Sequence, residues 1–211
     1  EMDTTFMAKP YPGQAGNGLH VHISILDKDG KNIFASEDPE QNAALRHAIG
    51  GVLETLPAQM AFLCPNVNSY RRFGAQFYVP NSPCWGLDNR TVAIRVPTGS
   101  SDAVRIEHRV AGGDVNPYLM LAAILGAALN GIEDAQEPAA PITGNAYAME
   151  GLPQIPESWE AAIEAFDSSD TLSRFLPKEL IRNYVLTKRQ ELHYLAELTP
   201  EEQVELYLDT V

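Results

Sequence analysis

The chain has 211 residues, 45% of them hydrophobic and 20% charged, a globular composition that excludes a disordered polypeptide. A formal net charge of -13 disfavours contact with nucleic-acid backbones or anionic membranes, and no apolar run reaches the ~20 residues of a membrane-spanning helix. Two cysteines, Cys64 and Cys84, are too few for a disulfide framework and suit a reducing, cytoplasmic setting.

Residues 9–18 (Lys-Pro-Tyr-Pro-Gly-Gln-Ala-Gly-Asn-Gly) predict a Gly/Pro loop. Leu19 to Leu26 alternates apolar and polar residues and predicts a strand, closed by the turn Asp27-Lys28-Asp29-Gly30. Ala43 to Leu63 has helical periodicity, interrupted by Gly50-Gly51 and Pro57. Residues 64–89 carry Pro65, Pro80 and Pro83 and read as irregular. Strands are expected over Arg90–Val96 and Val104–Val110. Asn116-Pro117 opens a helix running to about Ile132 that is apolar on nearly every side, which predicts a buried core helix. A long loop over 135–156 precedes helices at about 157–166, 177–197 and 200–208, the last opened by the capping box Thr199-Pro200-Glu201-Glu202. Strands and helices are segregated along the chain. That predicts an α+β fold, with an antiparallel sheet packed against helices and a helical C-terminal region.

Charge is unevenly spread. Residues 1–112 have a net charge of -1 and residues 113–211 a net charge of -12. The balanced first part nevertheless holds six arginines and no lysine between Arg71 and Arg109. Arginine suits bidentate carboxylate or phosphate contacts. Structural salt bridges to Asp88, Asp102 and Glu107 are the equally good alternative.

Three constellations carry chemistry. In Gly16-Asn17-Gly18-Leu19-His20-Val21-His22-Ile23-Ser24, strand alternation puts His20, His22 and Ser24 on one face beside a Gly-rich loop. The imidazoles can ligate a cation, and the glycines let backbone approach an anion; a solvent-facing strand with incidental histidines is the plainer alternative. In Val104-Arg105-Ile106-Glu107-His108-Arg109-Val110, Arg105, Glu107 and Arg109 share a face. Either Glu107 holds a metal while the arginines hold anions, or the three form an exposed ion-pair ladder. In Asn89-Arg90-Thr91-Val92-Ala93-Ile94-Arg95, the two arginines fall on opposite faces of a regular strand, so Arg90 precedes the strand or a bulge intervenes. Trp85 is either a pocket wall or a stray loop aromatic.

In this order the pieces resemble the glutamine synthetase family. The matching stretches are Lys9-Pro10 followed by Gly16-Asn17-Gly18-Leu19-His20-Val21-His22; Asn68-Ser69-Tyr70-Arg71-Arg72; Asp88-Asn89-Arg90 through Arg95-Val96-Pro97; Arg105-Ile106-Glu107-His108-Arg109 through Asn116-Pro117-Tyr118; and Glu205-Leu206-Tyr207. The pattern Arg109-Val110-Ala111-Gly112-Gly113-Asp114 looks most like the branch joining glutamate to larger amines, the γ-glutamylpolyamine synthetases or glutamate–putrescine ligases.

The resemblance implies an ATP-dependent ligase that phosphorylates the glutamate side chain and then lets an amine displace the phosphate. It implies that His20 and Glu107 ligate Mg2+ or Mn2+, and that His22, Ser24, Arg95 and Arg105 lie in the ATP site. It further implies that Gly16, Arg72 and Arg109 hold glutamate and that Arg90 steadies the transferring phosphoryl group. Phosphoryl transfer needs charge neutralisation and alignment more than covalent help, so such a set is chemically sufficient.

Departures from the pattern bear on the amine. Where ammonia-using members carry a glutamate six residues after the Asn-Ser-Tyr-x-Arg motif, this chain has Tyr78; where an asparagine precedes the first glycine, it has Ala15. Both favour an amine bulkier than ammonia. Asp102 replaces a basic residue that meets nucleotide three positions before Arg105. The resemblance also implies that residues 1–211 are the C-terminal part of a catalytic domain, preceded in the whole protein by a β-domain and further metal-binding glutamates, and that the whole protein forms a ring-shaped homo-oligomer. On that reading the 211-residue chain alone is inactive. Glutamine synthetase proper, using ammonia, and a non-catalytic nucleotide-binding fragment are the competing expectations.

Overall fold

In the computed structural model, which describes residues 4–73 and 79–208, a long helix runs through the middle of the molecule. This is α1 (Ala43–Leu63), and fifteen of its residues are buried. It starts where Asn42 turns its side chain inward, the Oδ1 accepting from the Leu45 amide at 2.8 Å. Gly50 and Gly51 do not break it, because they are contact points. A Cβ on Gly51 would sit 2.2 Å from the Ala127 carbonyl oxygen and 2.7 Å from the Cα of Gly131. Those atoms belong to the second long helix, α2 (Pro117–Glu133), capped by Asn116, whose side chain accepts from the Tyr118 and Leu119 amides.

The two backbones therefore touch, and the obstructing atoms are main chain that cannot rotate away. Gly51→Ala is expected to destabilise the fold by about 1–3 kcal/mol, despite the roughly 1 kcal/mol that alanine gains over glycine in a helix. A lower denaturant midpoint checks this; an unchanged or raised midpoint would contradict the close approach.

On one side of these helices lies a four-stranded sheet, β1 (Val21–Ile23), β2 (Trp85–Leu87), β3 (Ile94–Val96) and β4 (Ile106–His108), in the order β1-β4-β3-β2. Its inward side chains Ile23, Ile94, Val96 and Ile106 join Ile49, Val52, Leu56 and Ile124 in one core. On the other side α3 (Trp159–Asp167), α4 (Lys178–Leu195) and α5 (Pro200–Leu208) enclose a second core. There Phe62 of α1 meets Phe166 and Tyr184, with ring centroids 4.7 and 4.6 Å apart. Among the described residues no helix is long and apolar enough to cross a membrane.

The α+β class and the segregation of strands from helices stand as expected. The sheet is not wholly antiparallel, however: β2 and β3 pair in parallel. Asp88 takes a left-handed backbone (φ 45°), and Asn89 ties back the following turn, its Oδ1 accepting from the Thr91 amide and hydroxyl. That tight return lets β3 run alongside β2. The strands are also short, three residues each, where seven or eight were expected for three of them, and β2 falls in the stretch 64–89 that was expected to be irregular. Trp85 is neither pocket wall nor stray aromatic. It is 2% exposed in the core, its Nε1 donating to the Ala139 carbonyl at 2.7 Å. Nor is α2 buried on nearly every side: Tyr118, Leu121, Leu125 and Leu129 form an exposed stripe along it.

The hairpin and the last helix match their sequence signals. Asp27 Oδ1 accepts from the Asp29 and Lys31 amides around Gly30, at φ 79°. Thr199 and Glu202 exchange backbone-to-side-chain hydrogen bonds as a capping box does.

Candidate active site

The outer face of the sheet gathers the chemistry. In register, His22 of β1 stands opposite Glu107 of β4, and Glu107 opposite Arg95 of β3, so the three project side by side. Glu107 is the hub. Its Oε1 lies 2.6 Å from Arg109 NH1 and 3.1 Å from His20 Nδ1, and its Oε2 lies 2.5 Å from Arg95 NH1. Arg95 also reaches Asp88 Oδ1 at 2.6 Å, and Asp88 accepts from the Thr98 hydroxyl. Arg105 donates from Nε to His22 Nδ1 at 3.1 Å. The Glu107 side chain is 4% exposed and that of Arg109 7%, so this is not a solvated ion-pair ladder.

These surroundings set protonation. Burial raises the Glu107 carboxyl, but hydrogen bonds from Arg95 and Arg109 outweigh it and hold the group below its ordinary value. Burial, then the nearby Arg109 charge, push the His20 imidazole down and favour its neutral form, against the opposing pull of Glu107. Asp88, bonded to Thr98 and Arg95, is lowered to about 2. On the opposite face of β4, His108 lies wholly in the core with neither ring nitrogen hydrogen-bonded among the described residues, and burial lowers it to about 3.

Beside this cluster a cavity of about 190 Å3 is lined by Gly16, Asn17, Gly18, His20, Arg72, Val79 and Arg109. A Cβ at Gly16 would be a tight fit, meeting the Ala8 carbonyl oxygen at 3.0 Å and Arg72 Cγ at 3.1 Å. Arg72 is anchored through NH2, which donates to the Val110 carbonyl at 2.7 Å and to Cys64 Sγ at 3.6 Å, and its guanidinium stacks 5.5 Å from the Phe73 ring centroid. The sulfur beneath it is wholly buried and its thiol is pushed up to about 11, mainly by burial, so it packs as a neutral group.

The fold thus brings His20, His22, Glu107, Arg95, Arg105 and Arg109 onto one face, with Gly16 and Arg72 in the adjoining cavity. Ser24 is exposed at the far end of β1. Arg90 departs from the group. It precedes β3 in an exposed turn, and its carbonyl oxygen, not its guanidinium, meets the cluster by accepting from Arg109 NH2 at 3.2 Å. Arg90 lines a different cavity, with Asp88, Asn89, Ile142 and Thr143. Tyr78 lies outside the described residues. Asp114 and the pair Asn66–Ser69 escaped sequence reasoning; their partners are 45 and 48 positions away, and the one signal was the glycine pair before Asp114.

His20 Nδ1 and Glu107 Oε1, 3.1 Å apart, fit neighbouring positions around a divalent cation with bonds of about 2.1 Å. Among the described residues no group of three or more His, Cys, Asp or Glu side chains gathers for a metal. The face is electropositive: Arg72, Arg95, Arg105 and Arg109 outnumber Glu107 and Asp88 in a chain whose overall charge is -13. Such a surface is built to receive anionic groups.

A family model described as glutamine synthetase, catalytic domain, matches residues 1–207. The γ-glutamylputrescine synthetase of Escherichia coli (strain K12) is 40% identical over 208 residues, covering 99% of this chain and 44% of the relative. A glutamine synthetase of Aquifex aeolicus (strain VF5) is 38% identical over 216 residues, 97% of this chain and 46% of the relative. Among solved structures, a GmaS/ADP complex superposes with a TM-score of 0.82 at 32% identity, over 97% of this chain and 49% of that one. The chain spans less than half the length of these two curated relatives.

Proposed function

The chain belongs to the glutamine synthetase family, and from that premise we propose that it is the C-terminal part of the catalytic domain of an ATP-dependent ligase. The reaction joins the γ-carboxylate of glutamate to an amine by way of γ-glutamyl phosphate. The observation that carries the reading is the surplus of guanidinium on one sheet face, with a single buried carboxylate, Glu107, gripped by two of them and facing a neutral imidazole.

Arg72 and Arg109, with the Gly16 backbone, would hold the substrate glutamate in the small cavity. Arg95 and Arg105, with His22 and Ser24, would receive ATP. His20 and Glu107 would hold Mg2+ or Mn2+, which when bound neutralises phosphate charge and aligns it for in-line transfer. Arg109 is shared between cavity and cluster, so it would register the glutamate γ-carboxylate against the phosphates. Arg90 would steady the transferring phosphoryl group only after its side chain swings from its own cavity toward the cluster, a step of 19 positions from Arg109 in sequence but one hydrogen bond in space. The whole protein would be a ring-shaped cytoplasmic homo-oligomer.

For the amine we favour a polyamine such as putrescine, on Tyr78 and Ala15 at the positions noted above and on the similarity to the Escherichia coli γ-glutamylputrescine synthetase. The test is ADP formation by the intact protein with ATP, glutamate and either putrescine or ammonium. A preference for putrescine of ~10-fold or more in kcat/KM is expected. A reversed preference would make the protein a glutamine synthetase proper, as the Aquifex aeolicus similarity allows. Nucleotide binding without glutamate-dependent turnover would favour the non-catalytic reading.

A further inference from the structure

Asp114 is a buried carboxylate at the junction between β4 and α2, outside every set of residues assigned above. It is 7% exposed. Its Oδ2 accepts from the Ser69 hydroxyl at 2.6 Å and from Asn66 Nδ2 at 2.9 Å. Those two residues hold the turn Ser69–Arg72: Asn66 Oδ1 accepts from the Asn68 and Ser69 amides, and the Asn66 carbonyl accepts from the Ser69 amide at 3.1 Å. The same turn is clamped from the loop side, where Asn68 donates to the Lys9 carbonyl and accepts from the Lys9 amide.

The other carboxylate oxygen, Oδ1, has no hydrogen-bond partner among the described residues and presses on Gly112, where a Cβ would come within 2.1 Å of it. Gly112 in turn donates its amide to the Leu63 carbonyl and bridges Gly18 of the Gly-rich loop. Asp114 thus holds the turn that ends in Arg72 by hydrogen bonds and packs against Gly112, which links the segment after Arg109 to the Gly-rich loop.

Arg72 needs such a support. It makes no ion pair among the described residues; NH2 is tethered to neutral partners and Nε is buried without one. Its direction is therefore set by those neutral contacts and by where the turn places its Cα. A purely structural clamp needs no full charge, and burying a carboxylate on two neutral donors is costly. The Arg72 charge offsets part of that cost, though burial still holds the Asp114 carboxyl above its ordinary value, and the lack of an ion pair between the two among the described residues leaves the Arg72 charge available to a ligand.

We infer that Asp114 is a positioning residue that aims Arg72 at the substrate carboxylate through Ser69 and Asn66. The inference rests on the ligase reading and on the place of Arg72 in the glutamate cavity. In the intact protein, Asp114→Ala is expected to raise the KM for glutamate by ~10-fold or more while the KM for ATP and kcat change less than threefold. Asp114→Asn, which keeps an acceptor at the Oδ2 position, should restore most of the loss. In an Arg72→Ala background, Asp114→Ala should add little.

If Asp114→Ala does not fold, Ser69→Ala deletes only the 2.6 Å bond and should raise the glutamate KM several-fold in the same selective way. A glutamate KM within twofold of wild type in the folded variants, or equal losses for glutamate and ATP, overturns the positioning role. A wild-type protein with no glutamate-dependent turnover overturns the ligase reading and this inference with it.

Discussion

Glu107→Ala is expected to cost about 3–5 kcal/mol of folding stability, the range for removing one member of a buried ion cluster. The reason is the bookkeeping of charge at the hub. With Glu107 present, Arg109 and Arg95 each face a carboxylate at 2.6 Å or closer. Without it, Arg95 keeps Asp88, but Arg109 is left 7% exposed with one carbonyl, that of Arg90, as its remaining hydrogen-bond acceptor of known geometry apart from the His20 ring. Burying an uncompensated guanidinium is the costly outcome, and neighbouring positive charges add to it.

Glu107→Gln separates this from simple loss of packing. It keeps shape and one acceptor oxygen, but turns an amide NH2 toward a guanidinium, so about 2 kcal/mol is expected. Urea titration of the 211-residue chain measures both. On the ligase reading Glu107→Ala also removes one of two protein donors to the cation and Glu107→Gln removes that donor's charge, and turnover of the intact enzyme should fall ~10^3-fold or more for the alanine variant. Were Glu107→Ala to leave the urea midpoint unmoved, the cluster would be a hydrated surface feature and the argument from burial would collapse.

Legibility in the sequence followed the range of the interactions. α1 begins and ends where periodicity put it, because Asn42 caps it locally and its apolar pattern is intrinsic. The capping box at Thr199 is likewise a four-residue affair. Alternation correctly grouped His20 with His22 and Arg105 with Glu107 and Arg109, since side-chain period is a local property of extended chain. The lengths of the strands were not legible: alternation continues past the point where a partner strand is available, and Asn89 diverts residues 89–92 into a turn through side-chain hydrogen bonds. That same diversion moves Arg90 out of the cluster and makes β2 and β3 parallel. The glycines of α1 look like defects from within the helix and become contact points only once α2 is placed against them. Asp114 was illegible for the same reason, its donors being distant in sequence and adjacent in space.

The 211-residue chain by itself is expected to bind Mg2+ or Mn2+ no more tightly than about 1 mM and to show no measurable turnover of ATP with glutamate and an amine. Hard divalent cations take about six ligands, and His20 with Glu107 supplies two. Water can fill the remaining positions, but it brings no negative charge to offset the repulsion between the cation and the four arginines. Glu107, moreover, is already hydrogen-bonded by two guanidinium groups, so a cation must compete with Arg95 and Arg109 for its lone pairs. A second, anionic donor set on polypeptide outside this chain would shift that competition, which is why the ligase reading requires the part of the relatives' length that this chain does not cover. Isothermal titration of the chain with Mn2+, alongside an ADP-release assay with and without the missing part supplied on a separate polypeptide, decides it. Turnover by the chain alone would mean that two donors and four arginines suffice, and the proposed sharing of the site with other polypeptide would have to be abandoned.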